Sequence, residues 1–175
     1  DVRYKGQEFV IQALSELNKQ GYNFEYHLVG GGDKSRLQSI ANKYGVANKV
    51  IFEGSVPHEK VFNYLDNIDI YIQPSKIEGL PRALIEAMSR GCPCIGTNAG
   101  GMPELLDEDF TVKNGNISSL VNILSTIDCE KLSKQAARNF EFTRNFTEDI
   151  LDAERNRFMQ EFKEYISSPK SGLFK

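Results

Sequence analysis

The stretch "IDIYIQPSKIEGLPRALIEAMSRGCPCIGTN", residues 68–98, carries the fold in miniature. It opens with an apolar, β-branched and aromatic run that ends in Pro74 and Ser75, as a buried strand does. A short polar loop follows, then Pro81, which suits the start of a helix. Leu84, Ile85, Ala87 and Met88 recur at helical spacing until Gly91 stops them. "CPCIGTN" begins a second short apolar strand. Strand, loop, helix and strand in so few residues form one unit of a parallel sheet.

The same alternation extends outward. "FEYHLVGG" (residues 24–31) and "KVIFEGS" (49–55) read as further strands, and "DFTVKNG" (109–115) as one more. Between them, Phe9, Val10, Ala13, Leu14 and Leu17 mark a helix that Gly21 closes. Leu37, Ile40 and Ala41 mark one closed by Gly45, and Pro57 opens one carrying Val61, Phe62 and Leu65. About five such units predict an α/β fold, a Rossmann-like parallel sheet covered by helices on both faces. The last ~45 residues change pattern. "EKLSKQAARNF" and "TEDILDAERNRFMQEFKEYI" are two helices with no strand between, Thr147 being the expected N-cap of the second. "SSPKSGLFK" reads as a loose tail. The expected division is a Rossmann-like domain over residues 1–146 and a C-terminal helix and tail over 147–175.

The 175 residues are 40% hydrophobic and 26% charged, a globular composition with enough apolar mass for a core. A net charge of −3 offers nothing to nucleic acid or to an anionic surface. No apolar run approaches the ~20 residues of a membrane span. "DVRYKGQEF" has no leader-peptide pattern and no start methionine, so the chain is expected to be an excised piece of a longer one. Cys92 and Cys94 share one face of a strand, and all three cysteines, Cys129 included, are expected to be buried thiols rather than disulfides or metal ligands. His27 and His58 stand in separate segments. Asn116 and Asn145 match the glycosylation sequon by chance.

Ligands of open parallel sheets sit beyond the carboxyl ends of the strands, at helix N-termini. Four loops qualify: "GGGD" (residues 30–33), "GSVP" (54–57), "PSKIEGLPR" (74–82) and "NAGGMPE" (98–104). The glycine loop containing Gly31 lacks the third glycine of the dinucleotide fingerprint, and no phosphate loop is present. It is a ligand contact or a permissive turn. In the third loop, Arg82 and Ala83 offer backbone N–H groups to an anion such as a diphosphate. Glu78 is placed to accept hydrogen bonds from hydroxyls. Glu86 stands inside an apolar run, where a lone buried carboxylate costs several kcal/mol. Either it faces solvent on the polar side of its helix, or it meets donors such as the two hydroxyls of a ribose.

"PSKIEGLPRALIEAMSRGCPCIGTNAGGMPELL" (residues 74–106) resembles the C-terminal, donor-binding domain of retaining glycosyltransferases of family 4, or group 1, which have the GT-B fold. Their pattern has two glutamates with seven residues between them, a glycine-ended helix, a strand and a "GGxPE" turn. Glu78 and Glu86 have that separation, and Gly100, Gly101, Pro103 and Glu104 supply the turn. "KGQEFVIQAL", "HLVGGG", "KVIFEGSVP" and "DIYIQPS" are similar to the family's upstream elements, so the resemblance covers residues 5 to about 125.

The resemblance implies roles. Glu86 would bind the ribose hydroxyls of a nucleotide-diphosphate sugar, and Glu78 the hydroxyls of the transferred sugar. Backbone groups of Gly79, Leu80 and Arg82 would line sugar and diphosphate, and Lys5 would neutralise the diphosphate. The loop of Gly54, Ser55 and Val56 would lie near the base. The family places an arginine several residues before its lysine. Here that position falls before residue 1, and Arg3, two residues from Lys5, is the candidate. The family's first strand falls outside the sequence in the same way. As surface charges alone, Lys5 and Arg3 would have no such role.

The resemblance further implies no cofactor or divalent metal, a glycan or lipid-linked acceptor read by an absent N-terminal domain, and little transfer by this piece alone. It implies a cytoplasmic place set by nucleotide-sugar supply, the inner membrane face included. The C-terminal helix would cross to the other domain, leaving Leu151, Phe158, Phe162 and Ile166 partly uncovered, unless they pack on their own sheet. A non-catalytic sugar-nucleotide-binding module and a GT-B-like sugar-nucleotide epimerase are the alternatives.

Overall fold

The computed structural model describes residues 3–167, so the expected tail beyond them lies outside the described residues. A 3-10 turn at Arg3–Lys5 leads into α1 (Gln7–Lys19). Then follow β1 (Tyr26–Val29), α2 (Ser35–Lys43), β2 (Val50–Gly54), α3 (His58–Leu65), β3 (Tyr71–Gln73), α4 (Arg82–Ser89) and β4 (Cys94–Thr97). After them come α5 (Met102–Leu105), β5 (Thr111–Val112), α6 (Ile117–Thr126), α7 (Cys129–Thr143) and α8 (Glu148–Ser167).

The five expected strands form, and all pair in parallel. They are shorter than their apolar runs because the flanking residues belong to loops. They also divide: β1 pairs with β2, and β3–β4–β5 form a second group with no hydrogen-bonded ladder between the groups among the described residues. The expected Rossmann-like arrangement of parallel strands flanked by helices is present, with its strands in two parallel groups.

β4 shows why a central parallel strand is apolar throughout. Cys94 packs with α4 on one face, and Ile95 with α1 and α6 on the other. Residues on one strand alternate between faces, so both faces demand apolar side chains. Helix α1 is buried on nearly every side. Phe9, Val10, Ala13, Leu14 and Leu17 join the cluster around β4 and β5, while Ile11 joins one with α2 and β2.

Helix α4 ends as its sequence dictates. Gly91 takes a left-handed φ of 68°, the Gly91 N–H bonds to Met88 O (2.9 Å), and the Cys92 N–H bonds back to Ala87 O (3.1 Å). This is the paired closure that a glycine after a helix permits. Two helices escaped the sequence reading. α5 is the short "MPEL" turn, and α6 begins where the Asn116 side chain accepts the Ser119 N–H at 3.0 Å. The asparagines of both sequon matches serve the backbone, Asn145 donating to Phe142 O at 3.0 Å.

Two further expectations are corrected. Phe62 is not core: it is 36% exposed, with the Arg90 guanidinium over its ring. Cys92 and Cys94 are buried as expected, but Cys129 is exposed at the start of α7. Of the two readings of helix α8, the structure shows the uncovered stripe rather than packing on the sheet. The helix has no buried residue, Leu151, Phe158 and Phe162 are exposed, and Ile166 alone of that expected stripe is half-buried. Among the described residues no helix is long and apolar enough to cross a membrane.

Candidate functional site

The carboxyl ends of β1, β2 and β3 converge with the start of α1 and the N-terminus of α4. Glu78 is the hub. Its Oε1 accepts from Lys5 Nζ (2.6 Å), Ser75 Oγ (2.7 Å) and Gln73 Nε2 (2.9 Å). Gln73 also donates to Ser75 and accepts from the Tyr71 hydroxyl. Burial pushes the Glu78 carboxyl up, but the hydrogen bonds from Lys5 and Ser75, the Lys5 charge and the Gln73 amide outweigh it and hold it below the usual carboxylate range. Its side chain is 13% exposed, so it is an ionised, nearly buried acceptor.

Two glycine contacts fix the loop that carries Glu78. A Cβ on Gly100 would stand 1.8 Å from Glu78 O, and Gly100 has φ +56°. The neighbouring Gly101 N–H donates to Gly79 O at 3.0 Å. The "GG" of residues 100–101 is therefore a seat for the backbone of residues 78–79. Gly6 does the same at the other end, where a Cβ would meet Pro74 O at 1.9 Å. The adjacent Lys76 N–H donates to Tyr4 O at 2.6 Å. Lys5 reaches Glu78 because Gly6 lets its backbone lie on Pro74. Glu8 completes the join by accepting from Arg36 (2.5 Å) and Lys76 (3.0 Å). Those bonds hold its carboxyl below the ordinary value.

Glu86 lies one turn into α4. Leu84, Ala87 and Met88 face the core, whereas the Glu86 side chain is 35% exposed, with His58 Nε2 3.8 Å from Oε1. The puzzle of a carboxylate in an apolar run resolves into a face: Glu86 sits on the polar edge of the helix, at the wall of a cavity of about 880 Å³ that Lys5, Gly31 and Ser75 also line. The glycine loop closes from the side. The Gly30 N–H bonds to Gly54 O (2.8 Å), and a Cβ on Gly31 would come 2.6 Å from Ser55 Oγ.

Of the residues singled out in the sequence, the fold brings Lys5, Glu78, Glu86 and Gly31 to one mouth, with Ser55 against Gly31. Arg3, Gly79, Leu80, Arg82 and Val56 stand outside the cavity wall. Arg3 is exposed in the opening 3-10 turn, and Leu80 is 58% exposed in the loop before α4. Gln73 and Ser75 were missed. They are a polar amide and hydroxyl that close an otherwise apolar strand, and Ser75 was read there only as a strand end. Among the described residues no cluster of three or more histidine, cysteine or acidic side chains could hold a metal ion.

Parallel strands flanked by helices, with candidate groups at the strands' carboxyl ends, define a GT-B-type half. The family model of group 1 glycosyl transferases matches residues 1–141, and the chain belongs to that family. Protein CapJ of Staphylococcus aureus is 30% identical over 169 residues, covering 95% of this chain and 43% of that protein. The amylovoran biosynthesis glycosyltransferase AmsK of Erwinia amylovora is 33% identical over 130 residues, covering 69% of the chain and 32% of that protein. The chain thus spans less than half the length of these curated relatives. The crystal structure of HepE from Anabaena, in complex with UDP, superposes with a TM-score of 0.78 at 23% identity, covering 92% of this chain and 46% of that one.

Proposed function

We propose that this chain is the donor-binding half of a retaining glycosyltransferase that takes a sugar from a nucleotide-diphosphate donor. The observation that carries the reading is the placement of Glu78 and Glu86: one carboxylate ionised and fixed beside Lys5 just before α4, the other one turn into α4 on the same cavity mouth. Glu86 accepts hydrogen bonds from the ribose diol. The first N–H groups of α4, at Arg82 and Ala83, meet the diphosphate, aided by the helix dipole. Lys5 offsets the charge that grows on the leaving diphosphate as the glycosidic bond lengthens. Glu78 accepts from the hydroxyls of the transferred sugar and fixes its ring. Gly79 and Leu80 line sugar and diphosphate, Arg3 adds charge at the same end, and Ser55 and Val56 border the base.

That HepE, which shares the fold, was crystallised in complex with UDP supports a nucleotide ligand for this chain. AmsK, named for amylovoran biosynthesis, supports a glycan acceptor. In this reading the acceptor, glycan or lipid-linked, is bound by an N-terminal half, and the enzyme works in the cytoplasm at the inner membrane face. The exposed apolar stripe of α8, beyond the domain of residues 1–146, packs against that half.

The test is calorimetric titration of UDP, GDP, ADP and their sugars into the full-length protein, with Glu86→Ala beside it. One nucleotide binds, and the substitution weakens it by ~1–3 kcal/mol, as loss of charge-assisted hydrogen bonds does. NMR of the product then shows the donor's anomeric configuration retained. Inverted product, or a nucleotide sugar epimerised without transfer, would overturn the reading.

A further inference from the structure

The two carboxylates of the site are held very differently. Glu78 is fixed by three donors on one oxygen. Glu86, on the edge of α4, has one neighbour, and it comes from another helix. His58, the first residue of α3, brings Nε2 to 3.8 Å from Glu86 Oε1. Among the described residues no other side chain forms an ion pair or hydrogen bond with that carboxylate.

The imidazole is itself held. Its ring stands edge-to-face with Phe62, one turn along α3, with centroids 6.0 Å apart and planes at 71°. The Arg90 guanidinium lies over the Phe62 ring, 5.7 Å from its centroid. Arg90 in turn makes two hydrogen bonds of 2.7 Å to the Asp66 carboxylate. Glu86 and Arg90 are one turn apart on α4, as His58 and Phe62 are on α3, so the groups form a row along the junction of the two helices.

A glutamate on an open helix edge samples several rotamers, and a diol that needs both its oxygens in place must freeze them on binding. A donor that already holds one oxygen removes part of that cost. Each carboxylate oxygen has two acceptor positions, so a hydrogen bond to Oε1 leaves room for both hydroxyls of a ribose. A separation of 3.8 Å is longer than a hydrogen bond, the loose form such contacts often take before a ligand arrives. The His58 side chain is 76% exposed, so the pair adds little to folding and its effect belongs to binding.

We infer that His58 is a positioning residue for Glu86. With its proton on Nε2 it donates to Oε1, closes to hydrogen-bond distance as the ribose docks, and sets the carboxylate toward the diol. Phe62, left outside the core, and the Arg90–Asp66 pair keep the imidazole in place. This inference rests on the assignment of Glu86 to the ribose.

The test is a double-mutant cycle on the full-length protein, read by calorimetry with whichever of UDP, GDP and ADP it binds. His58→Ala raises Kd ~5-fold, the scale of one net hydrogen bond. It raises the donor KM by the same factor and leaves kcat unchanged. In a Glu86→Ala background the same substitution changes Kd by less than ~1.5-fold, as it must if His58 acts through Glu86. His58→Gln, whose Nε2 donor replaces that of the imidazole, stays within ~2-fold of the parent. A His58→Ala loss of equal size with and without Glu86 overturns the inference, because the residue then acts on the donor or the fold by itself. An unchanged Kd in His58→Ala, while Glu86→Ala still weakens binding, also overturns it and leaves the donor reading standing. Unchanged binding in Glu86→Ala removes the ribose assignment, and this inference with it.

Discussion

Lys5 Nζ stands 2.6 Å from Glu78 Oε1 across a sequence gap of 73 residues, and the pair joins the start of α1 to the loop before α4. The ammonium is one of three donors on the same oxygen, so the carboxylate stays ionised though nearly buried. A carboxyl whose folded pKa lies below its unfolded value of about 4.5 contributes stability that is fully present above that pH and is lost as pH falls through the folded value. The melting temperature of Glu78→Gln should thus fall below that of the parent chain at pH 7, and the gap should close as the pH drops below about 4.5. The loss at neutral pH is ~1–2 kcal/mol, the net worth of hydrogen bonds to a charged group. A gap that widens in acid would contradict an ionised Glu78.

His27 has the opposite sign. Burial lowers its pKa, but the carboxylates of Glu53, 2.8 Å from Nδ1, and Glu25, 3.2 Å from Nε2, outweigh burial and raise it. Stability from its protonation is present below the ordinary value of 6.5 and is lost as pH rises through the raised folded value. Thermal melts of His27→Gln should lie below the parent at pH 5.5 and approach it at pH 8.5, a window set by that direction.

The glycine seat gives a sharper test. Gly100→Ala drives a methyl to 1.8 Å from the Glu78 carbonyl oxygen, while Gly45→Ala, at φ +71°, meets nothing within 4 Å. Strain at a left-handed φ alone costs ~1–2 kcal/mol. Gly45→Ala should stay in that range by denaturant unfolding. Gly100→Ala should exceed it, at ~3 kcal/mol or more, because the loop of residues 78–79 must move. Equal losses would mean that the contact at Gly100 is relieved without displacing Glu78.

The same pair of glycines shows how far the sequence could be read. Strand–loop–helix alternation and the Gly91 stop rest on local spacing, so they were legible before any fold was known, and the pairing of Glu78 with Glu86 rested on the family resemblance. The partners of Glu78 were not. Gln73 and Ser75 meet it because a strand end and a loop fold back together, and nothing in "IQPS" announces that geometry. The split between β1 and β3 was hidden for a related reason: apolar runs identify strands but not neighbours, and adjacency is decided by non-local pairing. The exposed stripe of α8 resisted too, since helical periodicity marks an apolar face without naming what covers it.

Helix α7 offers a prediction about the core. The Gln135 side chain, 3% exposed, accepts the Cys94 N–H (2.8 Å) and donates to the Cys94 carbonyl (2.7 Å), standing in for a neighbouring strand. Asn139 repeats the service at the Cys92 carbonyl, 3.0 Å away. Gln135→Leu is close in size but leaves a donor and an acceptor of β4 buried and unpaired. Its expected cost is ~2–4 kcal/mol in denaturant unfolding, since each unsatisfied buried group costs ~1–3 kcal/mol. A loss under ~1 kcal/mol would mean that water reaches the start of β4.

The two glutamates should separate kinetically in the full-length enzyme. Glu86 is assigned to the ribose, a part of the donor that keeps its charge and shape through the reaction. Contacts of that kind are made equally in ground and transition states, so Glu86→Ala should raise the donor KM and leave kcat nearly unchanged. Glu78 is assigned to the sugar whose anomeric carbon reacts, and its fixed negative charge lies beside Lys5. Glu78→Gln keeps the shape and one acceptor but removes the charge, so its loss should fall on kcat, by ~100-fold, the scale of losing one preorganised polar group at a reacting centre. Steady-state kinetics of the two variants at saturating acceptor decide the assignment. The reverse split, with kcat lost in Glu86→Ala and only KM raised in Glu78→Gln, would move the reacting sugar from the Lys5 end of the site to the middle of α4.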